Sequence, residues 1–338
     1  LVCSLTYLLL LALAVFFPLE KQPQEVIDID TNTEEDNLPA VIEDKVTEEV
    51  LVEPSPIMSE ETIEEAPEIK ELTSPTYAEN VEGNNSQKDA LLQSVDIFSL
   101  DYERQAQPKV GKGCSDKKIE HKAYSLSYNK DFRVPNWVFY ELTRDELEGR
   151  LERSNNFQPD PEIKREDAAQ LEDYKYSGWD RGHMAPSMDM NWNAEVLDES
   201  YYLSNMCPQG HDFNSGIWLD LEHQIRYWAK RDSAICVVTG PILPKSKKDD
   251  YRKLPRSKVL IPDYFYKAVF APFGKEPRAI AFVMPNEQRY EKISSFAISI
   301  DSLENLTGID FFSVLPDDIE DVVEADFNLR DWFRKKDI

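Results

Sequence analysis

Apolar positions fall into short runs separated by polar stretches, and their spacing changes along the chain. Leu1 to Pro18 form one apolar run of about the length that crosses a bilayer. From 20 to 95 the apolar residues are isolated and follow no period. Beyond that, Trp137-Val138-Phe139-Tyr140-Glu141-Leu142 is an aromatic, β-branched run that predicts a core strand. Ala234 to Gly240, Lys258 to Phe270 and Pro277 to Met284 predict further strands, with short ones at Tyr201 to Met206 and Phe296 to Ile300. Ile217, Leu221, Ile225 and Trp228 recur at the spacing of one buried helical face, so Asn214 to Lys230 predicts the clearest helix. Shorter helices are expected over 191–200, 316–324 and 326–336, and residues 144–170 read as loop with short helix. Helices and strands do not alternate regularly. The pattern therefore predicts an α+β domain rather than a doubly wound sheet.

Charge divides the chain into three. Residues 1–19 carry none, residues 20–95 carry 21 Asp/Glu against 4 Lys/Arg, and residues 96–338 carry 43 against 34. All six Trp lie from 137 onward. The first segment reads as a signal peptide or a membrane anchor. Ala12-Leu13-Ala14 is a cleavage-like pattern, and no basic residue precedes the run. The second segment has too little apolar surface to offset chain entropy and reads as an acidic disordered tether, with an acidic interaction tail as the alternative. The third is the folded domain. This organisation predicts export, to a periplasmic, extracellular or membrane-anchored location. Cys3 lies in the apolar run. Cys114, Cys207 and Cys236 are left to the domain, with no metal-ligand spacing and room for one disulfide whose pair the sequence does not choose.

Candidate chemistry gathers in Asp180-Arg181-Gly182-His183 and in the segment from Asn205 to Glu222. A neutral imidazole at His183 can take a proton from water, although a lone histidine is as readily a core residue. The carbonyl of Asn214 can hold a hard cation or cap a helix. At about 100° per residue Asn214 falls on the buried helical face one turn ahead of Trp218, and Glu222 borders that face. Glu222 could equally pair with Arg226 at i, i+4. Asp180 reads as an anchor for the loop that presents His183, and Gly182 as a point of close backbone approach. His121, His211 and His223 are expected on exposed loop and helix positions. Lys245, Lys247, Lys248, Arg252, Lys253, Arg256 and Lys258 form either a positive rim or a solvated loop.

Three segments together resemble the DNA/RNA non-specific endonuclease family, of the endonuclease G-like kind. They are Asp180-Arg181-Gly182-His183, Tyr202-Leu203-Ser204-Asn205-Met206-Cys207-Pro208-Gln209, and Phe213-Asn214-Ser215-Gly216-Ile217-Trp218 with Leu221-Glu222. Arg153-Ser154-Asn155-Asn156-Phe157, Thr239-Gly240-Pro241 and Thr307 to Phe312 follow in the expected order, so the likeness spans about 110 to 325. It implies a ββα-metal (His-Me finger) fold with a mixed, mainly antiparallel sheet. It further implies His183 as general base, Asn214 as protein ligand of Mg²⁺ (or Mn²⁺), and Glu222 as a carboxylate that orients water beside the cation. Arg153 would stabilise charge at the scissile phosphate, and Arg181 and Asn205 would line the site. The implied substrate is DNA, RNA or both. Two other readings stand beside it, a catalytically silent nucleic-acid-binding module and a hydrolase of small phosphodiesters or nucleotides. The acidic balance of the chain, −26 overall, favours the second of these, because a polyanion gains affinity from cationic partners.

Overall fold

A computed structural model describes residues 108–110, 115–245, 250–273, 276–313 and 317–338. All lie in one compact unit. The expectations for 1–19 and 20–95 fall outside the described residues. No helix among the described residues is long and apolar enough to cross a membrane.

In chain order the elements are β1 (Lys109–Val110), β2 (Lys117–Glu120), β3 (Ser125–Asn129), β4 (Val134–Thr143), α1 (Leu171–Tyr174), β5 (Asp180–His183), α2 (Ala194–Glu199), β6 (Met206–Gln209), α3 (His211–Asn214), α4 (Ile217–Asp232), β7 (Ala234–Pro241), β8 (Tyr264–Ala271), β9 (Arg278–Pro285), β10 (Ala297–Ile298), α5 (Ile300–Thr307), β11 (Ile309–Asp310), α6 (Asp317–Ala325) and α7 (Leu329–Trp332). Seven strands form an antiparallel sheet in the order β10-β9-β8-β7-β4-β3-β2. Two ribbons, β5-β6 and β1-β11, stand apart from it.

Both faces of the sheet are covered, which explains why its strands are near-continuous apolar runs rather than an alternation. Val138, Tyr140, Val237, Phe265, Val269 and Phe282 point to one face, where α4 lays down Ile217, Leu221, Ile225 and Trp228. Trp137, Phe139, Val238, Ala268 and Phe270 point to the other, where α5 supplies Ile300 and Leu303 and α6 supplies Val323. The β5-β6 ribbon belongs to the α4 side through Met184, Ala185 and Met206.

Several sequence expectations are corrected. The predicted helix from Asn214 is two helices, because the chain breaks at Ser215-Gly216. A Cβ on Gly216 would sit 2.3 Å from the Asp212 carbonyl oxygen, so the close turn admits only glycine. Asn214 therefore ends α3 and is not in phase with the α4 stripe. Residues 201–206 form a 3₁₀ turn at Leu203–Asn205 rather than a strand. Asp180–His183, read as a loop, is strand β5. The strand expected from Lys258 starts only at Tyr264. Ile300, expected in a strand, opens α5, where the Ser299 hydroxyl caps Ser302 N at 3.2 Å. His121 is not exposed. Its side chain is 5% accessible, and Nε2 lies 3.0 Å from Asp160 Oδ2, which also accepts Ser204 Oγ at 2.5 Å. His211 and His223 are exposed as expected. Cys207 is a buried free thiol, and Cys236 is buried as well.

Candidate active site

The site is built on the β5-β6 ribbon. Gly182 pairs with Cys207 and His183 with Met206. A Cβ on Gly182 would lie 1.9 Å from Gln209 Oε1, so glycine is needed where that buried side chain crosses the strand. His183 is the last residue of β5, and the chain beyond it is clamped by Asn205. Met184 N donates to the Asn205 carbonyl at 2.9 Å. The Asn205 Oδ1 accepts Ala185 N, and its Nδ2 donates to the Ala185 and Ser200 carbonyls, each at 2.9 Å. Asn205 is 0% exposed and its amide is engaged on the backbone of the loop that follows His183.

The His183 ring meets Tyr201 edge-on at 5.1 Å and lies 5.8 Å from the Phe157 ring. Its Nε2 is buried and makes no hydrogen bond to the described protein. Burial, followed by the positive charges of Arg153 and Arg181, pushes its pKa down to about 3. The imidazole is thus neutral through the physiological range. An unfolded histidine titrates near 6.5, so between about pH 6.5 and 3 the unfolded chain binds a proton that the folded chain does not. This contribution to stability is complete above pH 6.5 and is lost as pH falls toward 3. Thermal melts should therefore show wild-type Tm declining more steeply than that of His183→Ala between pH 6.5 and 4. Parallel slopes would exclude a buried neutral imidazole.

Arg153 and Arg181 are both exposed and rest on the aromatic wall around His183. Arg153 Nε donates to Tyr201 Oη at 3.3 Å. The Arg181 guanidinium lies 4.0 Å over the Phe157 ring. Arg153 also acts electrostatically on Glu222, so its charge reaches both the imidazole and that carboxyl.

Asn214 stands on α3, which follows directly from β6. Its Nδ2 donates to Asp180 Oδ2 at 3.0 Å, leaving the carbonyl oxygen as the atom able to bind a cation. The same Asp180 oxygen lies 3.0 Å from His211 Nδ1. Asp180 thus orients Asn214 from the start of the strand that ends in His183. Glu222 projects from α4 and is buried. The Glu222–Arg226 ion pair considered from sequence gives way to Arg226 with Asp189, at 2.8 Å. Burial raises the Glu222 pKa, while Lys267, Arg226 and Arg153 oppose the rise.

Lys267 is the residue sequence reasoning missed. It is fully buried, with Nζ 3.3 Å from both the Met184 carbonyl and Thr239 Oγ1, and 4.4 Å over the Trp218 ring. Strand parity carried the signal, since Lys267 falls between Phe265 and Val269 on the face that packs α4. It links the residue after His183 to the field at Glu222, where its charge favours the ionised carboxylate. Lys267→Met should lower activity and move the acid limb of the kcat/KM–pH profile upward. A profile that keeps its position would limit Lys267 to packing.

Of the sequence-predicted residues, the ribbon and its flanks bring together His183, Arg153, Arg181 and Asn205, and the ion field of Arg153 joins Glu222 to them. Asn214 connects through Asp180 on the same strand. Of the basic rim, Lys245, Arg252, Lys253, Arg256 and Lys258 are exposed, whereas Lys247 and Lys248 lie outside the described residues. Arg252 is already paired with Asp263 at 2.5 Å and lies 5.4 Å over Trp179.

An antiparallel ribbon ending in a buried histidine, followed by a helix that carries an oriented asparagine, defines the ββα-metal nuclease class within an α+β domain. The chain belongs to the DNA/RNA non-specific endonuclease family, whose model matches residues 104–318. That family is one of metal-dependent nucleases. The chain is 36% identical over 202 residues to "Nuclease EXOG, mitochondrial" of Mus musculus, covering 56% of this chain and 55% of that protein. It is 34% identical over 208 residues to "Mitochondrial nuclease" of Saccharomyces cerevisiae, covering 56% and 63%. In both cases the match spans less than two thirds of the relative's length. Among solved structures it is similar to one described as the crystal structure of the EndoG/EndoGI complex, with 34% identity, a TM-score of 0.56, and coverage of 60% of this chain and 87% of that one.

Proposed function

We propose that this chain is a metal-dependent non-specific endonuclease that hydrolyses phosphodiester bonds of DNA, RNA or both. The observation that carries this reading is the neutral, buried His183, whose Nε2 has no hydrogen-bond partner among the described residues, with two arginines on its aromatic wall. A base for water must be unprotonated, and arginines beside it can hold the phosphate that water attacks.

The residues present suit a hard divalent cation. The Asn214 amide is fixed with its oxygen available, and the buried Glu222 carboxyl has Arg153 and Lys267 near it to favour ionisation. Mg²⁺ (or Mn²⁺) would be held through Asn214, with Glu222 orienting water around it. When bound, the ion polarises the phosphate and stabilises the leaving oxygen. His183 Nε2 accepts the proton of the attacking water. Arg153 and Arg181 bind phosphate oxygens, and Arg153 offsets the charge that develops on them. Asn205 and Lys267 hold the loop that follows His183, and Asp180 sets the Asn214 amide. These contacts address the backbone and leave the bases unread, consistent with non-specific cleavage. The products would carry a 5′-phosphate.

The acidic balance of the whole chain makes substrate size a direct test. Single-turnover rates on plasmid, a structured RNA and a dinucleotide should favour the polymers by at least about tenfold, because several phosphates contribute binding at once. A dinucleotide cut as fast as plasmid would replace the endonuclease reading with a small-phosphodiester hydrolase. Binding without turnover would point to a silent module. For location, we propose that residues 1–19 direct the chain to or across a membrane. The mitochondrial relatives favour an organellar address over secretion.

A further inference from the structure

We propose a second cation site, on the face of the sheet opposite His183, in which Asp301, Glu304 and Glu324 bind a calcium-type ion and fasten α6 to α5. Asp301 and Glu304 are three residues apart on α5 and so share a side of that helix. Glu324 comes from α6. One carboxylate oxygen from each lies within 4.8 Å of the other two. Oxygens around Ca²⁺ stand about 2.3–2.6 Å from the ion, so two of them span up to roughly 5 Å.

The second observation is Glu324 itself. It is 3% exposed, and its Oε1 is buried without a hydrogen-bond partner among the described residues. Phe311 N already donates to Glu304 Oε1 at 2.7 Å. No Lys, Arg or His among the described residues forms an ion pair with any of the three. Burial, followed by the neighbouring carboxylates Glu304, Glu320, Asp301 and Asp310, pushes the Glu324 carboxyl up to about 9; of these Asp310 already meets Lys109 Nζ at 3.6 Å. A buried carboxyl with no donor and no counter-charge is costly, and a divalent cation meets both needs at once. Asp301 is exposed and leaves an entry path from solvent. The apolar contact beneath, Ile300 and Leu303 against Val323, already sets the two helices side by side. Ca²⁺ suits this all-carboxylate cluster better than Mg²⁺, which keeps several of its waters.

The proposal does not depend on the nuclease reading. The full chain, stripped with chelator, is melted with and without CaCl₂ as wild type, Asn214→Ala, Glu324→Gln and Asp301→Asn. Asn214→Ala removes any contribution from the nuclease cation. The expected result is a Ca²⁺-dependent rise in Tm of roughly 5 °C in wild type and in Asn214→Ala, since saturating ligand stabilises the folded state. Glu324→Gln should lose it. Asp301→Asn, an exposed change that does not test folding of the core, should need at least about tenfold more Ca²⁺ for the same rise. No Ca²⁺ response in Asn214→Ala, or an undiminished response in either carboxyl variant, overturns the site. Plasmid cleavage in Mg²⁺ is read in parallel, so that failure of the nuclease reading appears as wild-type inactivity with the Ca²⁺ response intact.

Discussion

His183→Ala should cut plasmid about a thousandfold more slowly than wild type in saturating Mg²⁺, with nucleic-acid affinity little changed. Removing a positioned general base costs on the order of a hundred- to ten-thousandfold. The ring contributes little to binding, because it is buried against Tyr201 and Phe157 while Arg153 and Arg181 face solvent. The loss should therefore fall on the single-turnover rate and spare Kd. Rates and filter-binding affinities on the same labelled duplex separate the two. A large loss of affinity at an unchanged rate would make His183 a packing residue of the ribbon.

Asn214→Ala should show its defect in the metal titration. The Asn214 amide donates to Asp180, and its oxygen is the proposed protein ligand. Loss of that ligand should raise the Mg²⁺ concentration for half-maximal rate by on the order of a hundredfold, at least matching what removal of an outer partner costs. Excess metal should then restore part of the rate, which it should not do for His183→Ala. If Asn214→Ala keeps the wild-type Mg²⁺ midpoint, the cation is held elsewhere. The companion change Asp180→Asn leaves an acceptor oxygen but removes the charge, so a smaller shift in the same direction is expected.

The long strands were legible because both sheet faces are buried, and β4, β7, β8 and β9 advertise themselves as continuous apolar runs. The α4 stripe was legible for the same reason. What the sequence concealed lies in tertiary contacts. The break at Gly216 comes from the Asp212 carbonyl folding back, a contact that no period records. The Asp180–His183 strand is too short and polar to read as one, and it exists because β6 pairs with it. His121 looked like a loop residue, yet Asp160, a partner 39 positions away, draws it inside.

The candidate site was more legible in its parts than in its support. The motif residues were found from the resemblance, and the structure supplies the wall of Tyr201 and Phe157, the Asp180 link to Asn214, and the buried Lys267 beside the Asp189–Arg226 pair. Asn205 was read as lining the site, and its amide is engaged on the loop backbone after His183. Glu222 lost its presumed partner because Asp189, distant in sequence, binds Arg226 more directly.

The central claim is metal-dependent hydrolysis at phosphorus with His183 as base. The most direct measurement incubates supercoiled plasmid and a structured RNA with the full chain, in Mg²⁺ and in chelator, beside His183→Ala. The account predicts nicked and then linear DNA, or shortened RNA, or both, bearing 5′-phosphate ends, in Mg²⁺ with wild type and in neither control. Plasmid and RNA left intact by wild type in Mg²⁺, or cleaved equally by His183→Ala, would contradict it.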